Sequence, residues 1–301
     1  MSKKLNNNVV KLACIIILGF LLVIISNNIN LLKAEGRKVE SIDGLKNVSI
    51  ETGETCIEKI EENDNNLRVY YFDVGQADSI LAVNNQKTML IDAGNNDDGE
   101  LIVNNLKKLG ISRIDYLIGT HPHEDHIGGL DNIIDNFDIG TIYMPKTLNN
   151  TKTFEDVLDS VAKKQLSITT PNVGDTFTIG DASCQIMSVE DNSENYNACS
   201  IVIRMVQNDI SYLFMGDAET DNEQARSWPQ TTILKVGHHG SSTSSCEDFL
   251  KQVMPTVSII SVGTDNKYGH PHEETITRLN NIGSTIYQTN NVGNILVKQE
   301  K

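Results

Sequence analysis

Apolar and polar positions divide this chain into three stretches. A continuous apolar run from Leu12 to Ile25 follows Lys3, Lys4 and Lys11. A polar stretch with isolated apolar residues then extends to residue 66, and from Leu67 onward short β-branched runs alternate with turns and amphipathic segments. The first run falls short of the roughly 20 apolar residues that span a bilayer. No small-residue cleavage pattern follows it at the usual distance, so residues 1–26 are read as a membrane anchor, with a cleaved signal peptide as the rival. Both readings place the rest of the chain outside the cytoplasm, held to the cell membrane by a single pass or secreted if cleaved. Residues 27–66, rich in Glu, Asn, Asp, Gly and Lys and without a sustained period, read as an acidic linker. Residues 67–301 form the folded domain.

Within that domain LRVYYFDV, SILAV and TMLIDAG predict three successive strands. A helix over 100–109, closed by Gly110, leads into the strand IDYLIGT. Further helices are predicted over 127–136, 153–164, 220–228, 247–253 and 273–281. Further strands are predicted over 141–144, 184–189, 200–206, 211–215, 232–235, 257–262, 285–288 and 295–297. A second strand-rich half begins near Phe177. Two packed sheets with helices on both outer faces follow, a four-layered αββα sandwich.

Charge narrows the choice of partners. The formal net charge is −15, and residues 67–301 hold 17 basic against 31 acidic side chains. Beyond residue 60 no Lys/Arg run exceeds the pairs Lys107-Lys108 and Lys163-Lys164. Such a surface disfavours passive binding of a long polyanion, so a polyanionic substrate has to be held through metal ions. Cys56, Cys184, Cys199 and Cys246 show neither CxxC spacing nor the density of a disulfide scaffold, and they read as thiols, with one bridge still open to an exported domain.

The histidines carry the chemistry. All seven lie in three tight clusters, His121/His123/His126, His238/His239 and His270/His272, as expected of imidazoles gathered on loops that converge on an ion. In THPHEDHIGG, His121 and His123 are two apart, so in extended backbone they point the same way and grip one ion, which leaves Asp125 and His126 for a second. Pro122 stiffens the loop, and Gly128 and Gly129 let it turn into the next helix. In YLFMGDAE a strand ends on Gly216 and presents Asp217, whose two oxygens can bridge two cations. In ILKVGHHGSS neighbouring residues face opposite ways, so His239 is taken as a metal ligand and His238 as a contact to the substrate oxyanion. In KYGHPHEE, His270 can donate to a leaving oxygen, and His272 touches the first turn of the following helix. Asp92 in LIDAG is placed to orient a ligating His through its second ring nitrogen. Asp73, Gln76 and Asp78 lie on a neighbouring turn that can line the cleft.

These residues resemble the metallo-β-lactamase superfamily, whose HxHxDH motif stands here as His121, His123, Asp125 and His126, its downstream Asp as Asp217 and its final His as His239. Within the superfamily, FDVGQADSIL, IDAG, GDAE, LKVGHHGSS and YGHPH look like the hydrolase domain of the ComEC-type DNA-uptake proteins. The resemblance implies the αββα fold, a centre of two divalent metal ions and phosphoester hydrolysis. Two departures qualify it. No His lies between His126 and His238 to serve as the usual third zinc ligand, so Asn197 or Ser200 in NYNACS stands at that spot, which makes Mn²⁺ as credible as Zn²⁺. The multi-pass channel of the DNA-uptake relatives is also absent from this sequence.

The expected function is a metal-dependent phosphodiesterase or nuclease acting through a metal-activated water, with Asp125, His238 and His270 as its catalytic set and single-stranded DNA among its substrates. A small or wall-linked phosphoester, as for a choline-phosphate esterase, is the alternative substrate. An inactive membrane-anchored binding module is the alternative from another class, and a β-lactamase proper ranks last.

Overall fold

Period-two alternation decides which layer each strand side chain enters. In Leu67–Tyr71, Leu67, Val69 and Tyr71 point into the space between the sheets while Tyr70 points outward. In Ile80–Asn84, Ile80 and Ala82 point in and Leu81 and Val83 point out. Both faces are buried because both are covered, one by the second sheet and one by helices. The computed structural model describes residues 38–301 apart from 43, 44 and 148. The apolar segment 1–26 lies outside the described residues, and among these no helix is long and apolar enough to cross a membrane.

The first sheet has nine strands in the order β1 (Lys38–Ser41), β2 (Val48–Thr52), β16 (Ile295–Gln299), β3 (Leu67–Tyr71), β4 (Ile80–Asn84), β5 (Lys87–Ile91), β6 (Arg113–Ile118), β7 (Asp138–Tyr143) and β8 (Ile168–Thr169). The second has seven, in the order β15 (Thr285–Gln288), β14 (Val257–Ile260), β13 (Ile233–Lys235), β12 (Ile210–Phe214), β11 (Val202–Gln207), β10 (Ala182–Ser188) and β9 (Thr176–Ile179). Helices α1 (Gly99–Leu109), α3 (Leu130–Asn136) and α4 (Lys152–Lys163) bury Ile102, Leu106, Ile133 and Val157 against the outer face of the first sheet, after the short turn α2 (Glu124–Ile127). On the second sheet α6 (Glu247–Val253) and α7 (Glu273–Asn281) bury Phe249, Leu250 and Leu279 beside Trp228, with the shorter α5 (Thr220–Gln224) and α8 (Thr289–Val292) completing that half. Each fully buried apolar side chain contributes roughly 1.5–3 kcal/mol, so Leu106→Ala, which also leaves a cavity, costs roughly 2–5 kcal/mol.

Four details depart from the sequence pattern. Strands β1 and β2 occupy part of the stretch assigned to the linker. Val48 and Ile50 are buried there because β2 pairs with β16 from the far end of the chain, Ile50 opposite Val297. Strand β8 and helix α8 are also additional, each too short to show a period, while β9, with Phe177 and Ile179 buried between exposed threonines, opens the second strand-rich half as expected. The helix expected over 127–136 is split into α2 and α3 by Gly128-Gly129, and the one expected over 220–228 ends at Gln224. No disulfide forms among the described cysteines.

The topology places the site. Strands β5 to β8 run parallel, as do β12 to β15. The loops that follow β5, β6, β12, β13 and β14 therefore leave the two sheets at carboxyl ends, where α/β proteins gather their ligands.

Candidate metal centre

The chain after β6 stays extended through His123 and then turns into α2, so Asp125 and His126 sit on a helical turn rather than in extended backbone. The loop is seated on the turns after β5 and β3: Ala93 N–H donates to His126 O (2.7 Å), Gly128 N–H to Gly94 O (2.9 Å) and, from the turn after β3, Asp78 N–H to Asp125 O (3.0 Å). Gly128 and Gly129 are needed for that contact, not for the turn. Their φ values are −56° and −93°, which any residue adopts, but a Cβ on Gly128 would lie 2.2 Å from the backbone of Asn95 and one on Gly129 would lie 2.4 Å from Ala93 O. After β13, His238 and His239 are both left-handed, with φ of 48° and 51°. Such backbone is costly for a residue with a Cβ and gathers at functional sites.

Six side chains converge here, His121, His123 and Asp217 in one group and Asp125, His126 and His239 in a second, and Asp217 reaches the second through His126, with which it also groups beside Asp78. In the first, His121 Nε2 lies 2.9 Å from His123 Nδ1 and 3.8 Å from Asp217 Oδ2. In the second, His126 Nε2 lies 3.1 Å from Asp217 Oδ1, and His239 Nε2 lies 3.4 Å from Asp125 Oδ2 and 3.7 Å from Asp217 Oδ1. Asp217 thus turns one oxygen to each group.

The outer ring nitrogens are tied down. His126 Nδ1 donates to Asp92 Oδ2 (2.7 Å) and His239 Nδ1 to the Ser261 carbonyl (2.9 Å). Thr120 Oγ1 donates to Asp92 Oδ2 (2.7 Å) and so accepts from His121 Nδ1 (3.1 Å). All three rings therefore present Nε2 inward, as a ligating imidazole does. His126 Nε2, His239 Nε2 and Asp217 Oδ1 are buried without a hydrogen-bond partner, a costly arrangement that a divalent cation would satisfy. Two imidazoles and a carboxylate oxygen in one group, and two imidazoles with two carboxylates in the other, suit Zn²⁺ or Mn²⁺.

The metal-free electrostatics differ between the groups. Burial and the neighbouring His126 hold His121 well below the usual imidazole range, and burial lowers His123. His126 and His239 are equally buried, yet Asp217 and Asp92 raise the first, and Asp217 and Asp78 the second, above that range. Burial opposes ionisation of Asp125, but His239 beside it (3.4 Å) and the charge of His126 keep it below the carboxylate range.

The centre opens into a cleft of about 630 Å³ whose rim carries His238, His270, Gln76 and Tyr268. His238 Nδ1 donates to Glu219 Oε1 (3.1 Å), a hydrogen bond that depresses Glu219 to about 2, and its Nε2 lies 3.7 Å from Asp217 Oδ2. Gln76 Nε2 donates to His270 Nδ1 (3.3 Å), which leaves the proton of the neutral ring on Nε2. Burial, then His238, His239 and His272, push His270 down to about 4. At neutral pH it is therefore a hydrogen-bond donor and not a stock of protons. His272 belongs to neither ligand group, accepting from Ser242 N–H (2.8 Å) and donating to Tyr268 O (3.2 Å). Asp73 is tied to Asn294 through its backbone and does not line the cleft.

Ser200 lies behind the first group. Its Oγ accepts Asp217 N–H (3.0 Å) and meets His121 at Nδ1 (3.5 Å), the side away from Nε2. Asn197 is buried, with an unpartnered Oδ1. Lys235 also belongs to the site, though nothing in its local sequence marks it as functional. The last residue of β13, it is fully buried, with Nζ 2.7 Å from Asp78 Oδ2 and donating to Val236 O (2.9 Å). Asp78 Oδ1 in turn lies 3.5 Å from His239 Nδ1. Glu219, Thr120 and Ser261 likewise hold site histidines without a sequence signal of their own. Only a lysine inside the apolar run ILKV hinted at the buried pair.

Comparisons with known proteins agree with this geometry. The sequence pattern of the metallo-β-lactamase superfamily matches residues 72–264. ComE operon protein 3 of Bacillus subtilis is 30% identical over 246 residues, covering 74% of this chain and 32% of that protein. Recombination protein 2 of Haemophilus influenzae is 32% identical over 235 residues, covering 75% and 28%. The chain thus spans about a third of the length of the curated relatives it matches. A metallo hydrolase from Ignicoccus hospitalis superposes with a TM-score of 0.51 at 14% identity, over 78% of this chain and 100% of that one, and shares the fold. With that pattern matched over more than half of its length, the chain belongs to the metallo-β-lactamase superfamily.

Proposed function

We propose that this chain hydrolyses phosphodiesters, with His121, His123 and Asp217 holding one divalent cation and Asp125, His126, His239 and Asp217 a second, Zn²⁺ or Mn²⁺. The observation that carries this reading is the meeting of buried, unpartnered Nε2 and carboxylate oxygen atoms where the carboxyl ends of both sheets come together. Ions so held supply Lewis-acid polarisation of a phosphoryl oxygen and an acidified water. Asp217 keeps the two groups in register, and the outer hydrogen bonds of His121, His126 and His239 fix the lone pairs in advance. His238, anchored by Glu219, directs Nε2 at the substrate oxyanion. His270, neutral with its proton on Nε2, donates a hydrogen bond to the leaving oxygen. The resemblance to DNA-uptake hydrolases, together with relatives named as competence and recombination proteins, makes single-stranded DNA the leading substrate. An N-terminal membrane anchor would then present the site outside the cytoplasm.

The net acidity favours a second reading, a small or wall-linked phosphoester. An inactive binding module fits less well, since degenerate sites lose several ligands and here all six candidate positions carry competent side chains. The test is a screen of the purified full chain that crosses Zn²⁺ and Mn²⁺ with single-stranded DNA and small phosphodiesters. Metal-dependent turnover that disappears in His123→Ala and Asp125→Ala is expected. No hydrolysis of any phosphodiester with either metal, or full turnover in either variant, overturns the proposal.

A further inference from the structure

Most aromatic side chains of this protein are buried, but Tyr268 is 53% exposed on the lip of the cleft. Its ring is nearly parallel to that of His270, at a centroid distance of 5.6 Å and an angle of 23°. The His270 ring is in turn nearly parallel to that of His239, at 6.4 Å and 21°. Three rings therefore form one column from the centre to the lip. The loop that carries Tyr268 is pinned from several sides. Asn266 accepts the N–H groups of Tyr268 (3.2 Å) and His270 (2.9 Å) and donates to Gly263 O (3.0 Å). Gln76 accepts Gly263 N–H (3.2 Å), and His272 donates to Tyr268 O. An exposed aromatic ring on so constrained a loop has lost the freedom it would otherwise give up on binding.

Lys267 completes the feature. Its ammonium stands 4.9 Å from the Tyr268 ring centroid, a cation–π contact, and among the cleft-lining residues it is the one Lys or Arg. A cleft with a single such cation and three carboxylates, Glu124, Asp125 and Asp217, cannot track a phosphate backbone by charge. Beyond the phosphate that the metal ions would hold, affinity for a strand is left to the faces of its bases, which stack on aromatic rings whatever their sequence.

We propose that Tyr268, backed by His270, is the stacking platform for the nucleobase next to the scissile phosphate, with Lys267 swinging off the ring to meet the neighbouring phosphate, so that the substrate class is single-stranded nucleic acid. This rests on the phosphodiesterase reading for its catalytic consequence, but the platform binds whether or not turnover follows.

The experiment uses the full chain and two probes, an oligothymidylate and a fully abasic oligodeoxynucleotide of the same length. Hydrolysis is followed on the native linkages, and binding by fluorescence anisotropy on phosphorothioate versions. Wild type is expected to prefer the base-bearing probe in both assays. Tyr268→Ala is expected to shrink that preference by roughly 5- to 150-fold, the value of one stacked base, chiefly through KM, and Tyr268→Phe to keep it. Binding that depends on Tyr268 without hydrolysis would uphold the platform and sink the phosphodiesterase reading. Hydrolysis with equal preference in wild type and Tyr268→Ala, or no binding of the oligothymidylate by wild type, overturns the platform. Stronger inhibition by phosphocholine than by thymidine monophosphate also overturns it, because Tyr268 would then be recognising a quaternary ammonium.

Discussion

The two halves of the metal centre are built to different standards. In the Asp125/His126/His239 half both imidazoles are buried, both outer nitrogens donate to a carboxylate or a carbonyl, and the Asp78–Lys235 pair lies behind them. In the His121/His123 half, His121 leans on hydroxyls of Thr120 and Ser200, and His123 is half-buried with Tyr196 edge-on at 5.7 Å. A third imidazole is missing there, and Ser200 stands behind the ligands instead. One half has its outer ring nitrogens held by a carboxylate and a carbonyl, the other by hydroxyls. That asymmetry suits an enzyme in which one ion is resident and the second is held only as tightly as catalysis requires.

Asp217 is the one residue common to both halves, so Asp217→Asn should lower turnover by roughly three orders of magnitude or more and abolish the binding of both ions. Retention of one tightly bound ion, measured by metal analysis after dialysis, would mean that the halves are independent. Next in size is Lys235→Met. Removing the ammonium strands Asp78 as a buried carboxylate and should cost roughly 3–5 kcal/mol of stability, read as a fall in Tm. Adding Asp78→Asn should recover part of it, and an unchanged Tm in the single variant would show that the pair does not support the second half.

Removing the outer shell should separate the halves. Asp92→Asn is expected to weaken the His126 half by roughly 10- to 100-fold in metal affinity. Ser200→Ala removes a hydrogen bond from behind the other half, for about 1 kcal/mol. Equal effects of the two would contradict the asymmetry.

Proton release gives the finest distinction. His126 and His239 are raised above the usual imidazole range in the metal-free protein, whereas His121 and His123 are lowered. Filling the second half is therefore expected to release more protons than filling the first, with an affinity that falls more steeply as pH falls. Calorimetry in buffers of different ionisation enthalpy should find the release intact in His123→Ala and reduced in His239→Ala.

What was legible in the sequence follows the same division. Ligands that share one loop are close in the chain, so the histidine clusters stood out, as did Asp217 at a strand end and even the orienting role open to Asp92, and period-two runs located most strands. The rest depends on distant chain. Lys235 looks like any strand lysine until Asp78 comes to meet it, Val48 and Ile50 look like isolated apolar residues of a linker until β16 pairs beside them, and the constrained loop under Tyr268 depends on Gln76 from the other half of the domain.

The central claim is a centre of two unequal metal sites bridged by Asp217. Its most direct test is a titration of the metal-stripped full chain with Mn²⁺ or Zn²⁺, followed by calorimetry and metal analysis. The account predicts two ions per chain at saturation, bound in two resolved steps, the weaker one lost in His123→Ala and the tighter one in His239→Ala. Saturation at a single ion, or two equivalent ions lost together in either variant, would contradict it.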